Sequence, residues 1–238
     1  MDLPTHPLAG MRLAIKETLD TAEIERVCVV GRVDPLTEDV LAQFKKSGGT
    51  VEMLDCACGA SAFPMDFESC AWIIPEVANY FHAYRLLHGI RALSIRQQTP
   101  LLILRPQLDS AIARRDYYGG IPSVPQAWRH CSETCLVHGE TIERARIKGG
   151  QRNGVLTAIE DFTQEVWDEG TALAYTCLPT IGGFCALFDV EADWAPELAY
   201  RLSRFHDSAA VAAMTEQELL DYLDIIGRRR GGVDGGEE

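Results

Sequence analysis

Short apolar runs alternate with amphipathic stretches along the first half of the chain. Leu8, Met11, Leu13, Ile15 and Leu19 share one face of a helix over 8–22. Val27-Cys28-Val29-Val30 is apolar, largely β-branched and closed by Gly31, the pattern of a parallel strand buried on both faces. Asp34-Pro35 then opens a helix, with aspartate as N-cap and proline at the first helical position, where its missing N–H costs nothing. Leu36, Val40, Leu41 and Phe44 form its stripe, and Gly48-Gly49 stop it. Further strands are expected at Thr50–Leu54, at Cys70–Ile74 (closed by Pro75) and at Pro100–Leu104. A helix is expected over 79–94, a short one over 108–115 and an irregular one over 55–69. Gly120-Ile121-Pro122 reads as a very short fifth strand. Strand–helix alternation with short loops predicts an α/β fold, a parallel sheet with helices on both faces.

The second half breaks this rhythm. Val155–Trp167 reads as a helix, Ala172–Leu178 and Phe184–Val190 as two strands, and Pro196–Phe205 and Glu216–Ile226 as helices. The expected division is an α/β domain over 8–137, a small α+β segment or second domain over 151–228, and a disordered tail over 229–238. The boundary falls at the glycine-rich stretch His138–Gly150.

Charge narrows the function classes. The net charge is −13, from 22 basic and 35 acidic residues, which repels a phosphate backbone and argues against nucleic acid as partner. The basic run Arg228-Arg229-Arg230 is most simply a solvated helix end. No window reaches the ~20 apolar residues of a membrane helix, so a soluble, cytoplasmic protein is expected. Several of the eight cysteines (Cys28, Cys70, Cys177, Cys185) sit in apolar runs, where cysteine behaves as a small hydrophobe. Cys56-x-Cys58 and Cys131-x₃-Cys135 depart from the paired short couples of structural zinc, and no metal is expected.

In order and spacing, VCVVGRVDPLTEDVLAQFKKSGGTV, CAWIIPEVANYFHAYRLLHGIRAL, TPLLILRP and YYGGIPSVP resemble the receiver domain of response regulators over about residues 25–128. The resemblance implies a flavodoxin/CheY-like sheet. The positions that carry receiver chemistry differ, however. Gly31-Arg32 stands where acidic residues would hold Mg²⁺, Pro75 where the phospho-accepting aspartate would be, Arg105 for the hydroxyl residue and Val124 for the lysine. The expectation is a non-catalytic regulatory protein with a pseudo-receiver, needing no cofactor and working by protein–protein interaction, as a homodimer or with a protein partner. Tyr117, Tyr118, Ile121 and Trp128, beside Arg114 and Arg115, would supply the interface.

Arg32, Asp34, Glu76 and Arg105 fall at carboxyl ends of strands, where open α/β sheets bind ligands. They form a candidate anion site or a set of ion pairs. No catalytic constellation is legible. The alternative is a Rossmann-type nucleotide- or S-adenosylmethionine-binding enzyme using Gly31 and Asp55 at the ends of the first two strands.

Overall fold

The computed structural model describes residues 7–54, 70–94, 101–107, 110–111, 114–119, 124–137, 140–178, 183–203 and 206. In chain order its elements are α1 (Pro7–Thr21), β1 (Arg26–Val30), α2 (Pro35–Lys46), β2 (Thr50–Leu54), β3 (Cys70–Val77), α3 (Tyr80–Ser94) and β4 (Leu101–Pro106). They continue with β5 (Ser132–Val137), β6 (Glu140–Ala145), α4 (Val155–Asp168), β7 (Leu173–Leu178), β8 (Phe184–Asp189) and α5 (Ala195–Ser203). The expectations for 55–69, 120–122, 216–226 and the tail lie outside the described residues.

The protein is α/β, built on one mostly parallel central sheet of order β2-β1-β3-β4-β8-β7. β2, β1, β3 and β4 run parallel, whereas β8 lies antiparallel between β4 and β7. Strands from both halves of the chain therefore share a single sheet. β5 and β6 form a separate hairpin.

Residues alternate strictly across the pleat of the central strands. Val27, Val29, Ala71, Ile73, Leu101 and Ile103 pack beneath α1, α2 and α5, whereas Cys28, Val30, Trp72, Ile74, Leu102 and Leu104 pack against α3 and α4. Both faces are dry, which is why these strands read as unbroken apolar runs. Pro75 does not end β3, as the sequence suggested. The strand continues to Val77 through an irregularity in register between Ile74 and Val77. A bulge is one of the few places in a sheet that tolerates a residue without an N–H.

Candidate functional site

The strand order reverses direction between β1 and β3, and ligands of open α/β sheets bind at the carboxyl ends beside such a switch. Two carboxylates organise this edge.

Asp34, leaving β1, is the N-cap of α2. Its Oδ1 accepts the amides of Leu36 (3.0 Å) and Thr37 (3.1 Å), and its Oδ2 accepts the Thr37 hydroxyl at 2.6 Å. Arg105, from the end of β4, donates Nη1 to both carboxylate oxygens at 3.2 Å and to Thr37 Oγ1 at 3.0 Å; its Nε donates to the Gly183 carbonyl at 3.1 Å. The Arg105 side chain is 7% exposed and that of Asp34 25%. Burial favours the neutral acid, but the Thr37 hydroxyl, the Arg105 cation and the two amides outweigh it and hold the Asp34 carboxyl below its ordinary range.

Asp116 stands further along the edge and is fully buried. Its Oδ1 accepts the Tyr80 amide at 2.7 Å and the Gly154 amide at 2.8 Å, so one oxygen caps the amino ends of both α3 and α4. Gly154, the N-cap of α4, has φ +83°, and a Cβ there would lie 2.4 Å from the Arg114 carbonyl carbon. A glycine cannot cap its own helix through a side chain, and Asp116 does so from 38 positions earlier in the chain. Among the described residues Asp116 Oδ2 has no hydrogen-bond partner. Here burial is the largest influence and lifts the carboxyl above its ordinary value, because the amides of Tyr80 and Gly154 and the charge of His130 pull back only in part.

An aromatic layer covers the start of α3. Tyr80 and Tyr84 stack at 5.5 Å, and Trp128 lies over both, 6.1 and 6.4 Å away. The Tyr80 hydroxyl donates to Asp161 Oδ2 at 2.9 Å and that of Tyr84 to the Glu165 carboxylate at 2.9 Å, tying the layer to α4. Burial first, then these carboxylates, raise both phenols.

Of the candidates read from sequence, Asp34 and Arg105 are brought together, Arg32 is exposed in the loop after β1, and Glu76 is half-buried on the β3 bulge. Tyr117 is buried within the chain, its amide on the Ala78 carbonyl, so it presents no ring to a partner. Tyr118 is half-buried, accepting the His130 amide on its hydroxyl with the Arg129 guanidinium 4.5 Å over its ring. Trp128 packs on α3, and Ile121 and Asp55 lie outside the described residues. Among the described residues no group of three or more His, Cys, Asp or Glu side chains could hold a metal ion, and no helix is long and apolar enough to cross a membrane. Asp116, Asn79 and Asn153 escaped the sequence reading. The two asparagines, each beside a helix start, were the available signal.

No protein-family model matches the chain, and no curated protein sequence does. Solved structures do match. One is assigned as an O-methyltransferase from Klebsiella pneumoniae (11% identity, 79% of this chain and 83% of that one, TM-score 0.39). Another is the SAH-bound methyltransferase PaMTH1 of Podospora anserina (13% identity, 76% of each chain, TM-score 0.35). These are methyltransferases and not receivers. The chain's own sheet differs from a receiver's as well, because the position beyond β4 is filled by the antiparallel β8 and not by a fifth parallel strand. On that strand order the receiver resemblance is corrected, and with it the pseudo-receiver signalling function that it implied.

Proposed function

We propose that the chain is a Rossmann-type enzyme that binds S-adenosylmethionine at the carboxyl ends of β1 and β2. The observation that carries the choice of ligand is the Asp34 cap. A dinucleotide sets its pyrophosphate on the amino end of the first helix, where free amides and the helix dipole receive negative charge. In this chain the amides of Leu36 and Thr37 are already bonded to a carboxylate, itself neutralised by Arg105. A phosphate would have to displace it. An adenosyl sulfonium carries no phosphate and makes no such demand, and a net charge of −13 favours a cation over an anion.

Gly31 has φ +97° and donates its amide to the Leu54 carbonyl, a tight turn that leaves backbone without a side chain at the switch. Asp55 follows Leu54 in the chain, and an acidic residue after the second strand suits ribose hydroxyls. When bound, the cofactor supplies an activated methyl group. Gly31 and Asp55 would hold and orient its adenosine end. The free thiols of Cys28, Cys70, Cys131, Cys135, Cys177 and Cys185 suit a reducing compartment, in keeping with a cytoplasmic protein.

A ligand that binds only the folded state raises its melting temperature by mass action. S-Adenosylhomocysteine is expected to raise it, with NAD and ATP leaving it unchanged. Stabilisation by NAD or ATP, with none by S-adenosylhomocysteine, would reverse the assignment.

A further inference from the structure

We infer that the aromatic layer at the start of α3 is a binding site for an organic cation of the guanidinium class, and that Arg152 occupies it in the ligand-free protein. The Arg152 guanidinium lies 4.8 Å over the Trp128 ring. Beneath that ring stand Tyr80 and Tyr84, whose hydroxyls are bonded to Asp161 and Glu165. Stacked π faces backed by two carboxylates attract a cation by ring quadrupole and by net charge together. A flat guanidinium suits an indole face better than a compact ammonium does, because it also stacks.

The backbone indicates that the seat is held on purpose. Arg152 has φ +53°, a left-handed conformation that a residue with a Cβ seldom adopts. Its neighbour Asn153 imposes it, donating Nδ2 to the carbonyls of Ile147 (3.1 Å) and Gly149 (2.8 Å) and accepting the Asp116 amide at 2.9 Å. The Arg152 carbonyl is bonded to the His130 ring at 2.9 Å. Such strain persists only where the surroundings over-determine it, and it gathers at ligand clamps and switches. The backbone is thus fixed, whereas the Arg152 side chain is exposed, and its guanidinium can swing away on a stem of three methylenes. A tethered group of this kind competes with an incoming ligand at high local concentration.

The seat lies on the same carboxyl edge as the proposed cofactor site. Its use for the cationic end of a methyl acceptor rests on the proposed function; its capacity to bind a cation does not. The test therefore omits S-adenosylmethionine. Ethylguanidinium chloride and its neutral planar counterpart N-ethylurea are titrated into the full chain at low ionic strength, and the backbone amide resonances of α3 and α4 are followed by NMR together with the indole N–H resonances. A seat filled by Arg152 nine-tenths of the time weakens apparent affinity by about tenfold. Arg152→Gln is accordingly expected to bind ethylguanidinium about tenfold more tightly than wild type and to ignore N-ethylurea. Adding Trp128→Leu is expected to erase that gain, with melting curves confirming that each variant is folded. Equal affinity in Arg152→Gln and wild type overturns the inference. So does a response to N-ethylurea as strong as that to the cation, or a gain that survives Trp128→Leu.

Discussion

Asp34 and Asp116 stand on one edge of one sheet, and each accepts two helix-start amides on a single oxygen, yet their carboxyls are displaced in opposite directions. The amides are common to both, so they cannot be the cause. What differs is Arg105, which reaches Asp34, the Thr37 hydroxyl, which fills its second oxygen, and burial, which is complete at Asp116 and partial at Asp34. Among the described residues Asp116 has neither, and its Oδ2 finds no hydrogen-bond partner in a fully buried position. Two backbone dipoles therefore do not offset the complete desolvation of Asp116, whereas two dipoles with one cation and one hydroxyl outweigh the lesser desolvation of Asp34. The first arrangement makes a closed unit that needs no ligand. The second leaves residual demand in the part of the molecule that also holds the strained Arg152.

The hardest way to break this comparison is to remove the buried carboxylate altogether. Asp116→Ala orphans the amides of Tyr80 and Gly154, each a buried donor worth about 1–3 kcal/mol when unsatisfied, for a loss of about 3–4 kcal/mol. Urea denaturation measures the loss, and amide exchange is expected to quicken at Tyr80 and Gly154. A loss below about 1 kcal/mol, within reach of a single exposed cap, would mean that water reaches the amides and that the burial is not what it looks.

Removing the cation from the other unit is the next largest test. Breaking a buried pair from one side costs about 3–5 kcal/mol. Asp34 is a quarter exposed, so solvent screening reduces this to about 2 kcal/mol for Arg105→Leu. The pH dependence carries a sign. Because the folded-state pKa of Asp34 lies below its ordinary 3.8, its stabilisation is complete above that value and is lost as pH falls through the folded one. In Arg105→Leu this acid loss is expected to shrink. An unchanged acid limb would assign it to other carboxylates.

How much of this was legible depends on where each signal lies. β1, α2, β3 and β4 announce themselves because a strand buried on both faces must be continuously apolar, and Asp34 because its cap is local. Ser132–Val137 and Glu140–Ala145 escaped notice because both strands of the hairpin are half polar and carry ion pairs, such as Arg144 to Glu133, on a partly wet surface. The glycines of His138–Gly150 point instead to a boundary, and the second of these strands lies inside that stretch. Antiparallel insertion of β8 between β4 and β7 is long-range and leaves no local mark. Asp116, in the run Arg114-Arg115-Asp116, has the composition of an exposed turn. Its burial comes from Gly154 and Tyr80, which are far from it in sequence. The receiver resemblance rested on the order of strands and helices over β1 to β4, an order that doubly wound sheets of unrelated families share, and the antiparallel β8 beside β4 departs from it.

The gentlest test separates the charge of Asp116 from its shape. Asp116→Asn keeps an oxygen to accept both amides and places an NH₂ where Oδ2 already lacks a partner, so the count of unsatisfied groups barely changes. At neutral pH the effect is expected to be within about 1 kcal/mol, with the asparagine protein as stable as wild type or slightly more so. The slope is more telling than the difference. Because burial raises the folded-state pKa of Asp116 above 3.8, the native protein retains this proton more than the unfolded chain does between 3.8 and the folded value. Wild-type stability should therefore fall as pH rises from 3.8 through the folded value. Asparagine has no proton to lose, so the ratio of variant to wild-type folding constants should increase across that window and then level off. Urea titrations at closely spaced pH values from 3.5 to 8 read this directly. A ratio that stays flat would mean that Asp116 is ionised in the fold as readily as in water. In that case its contrast with Asp34 would reduce to one of hydrogen-bond count alone.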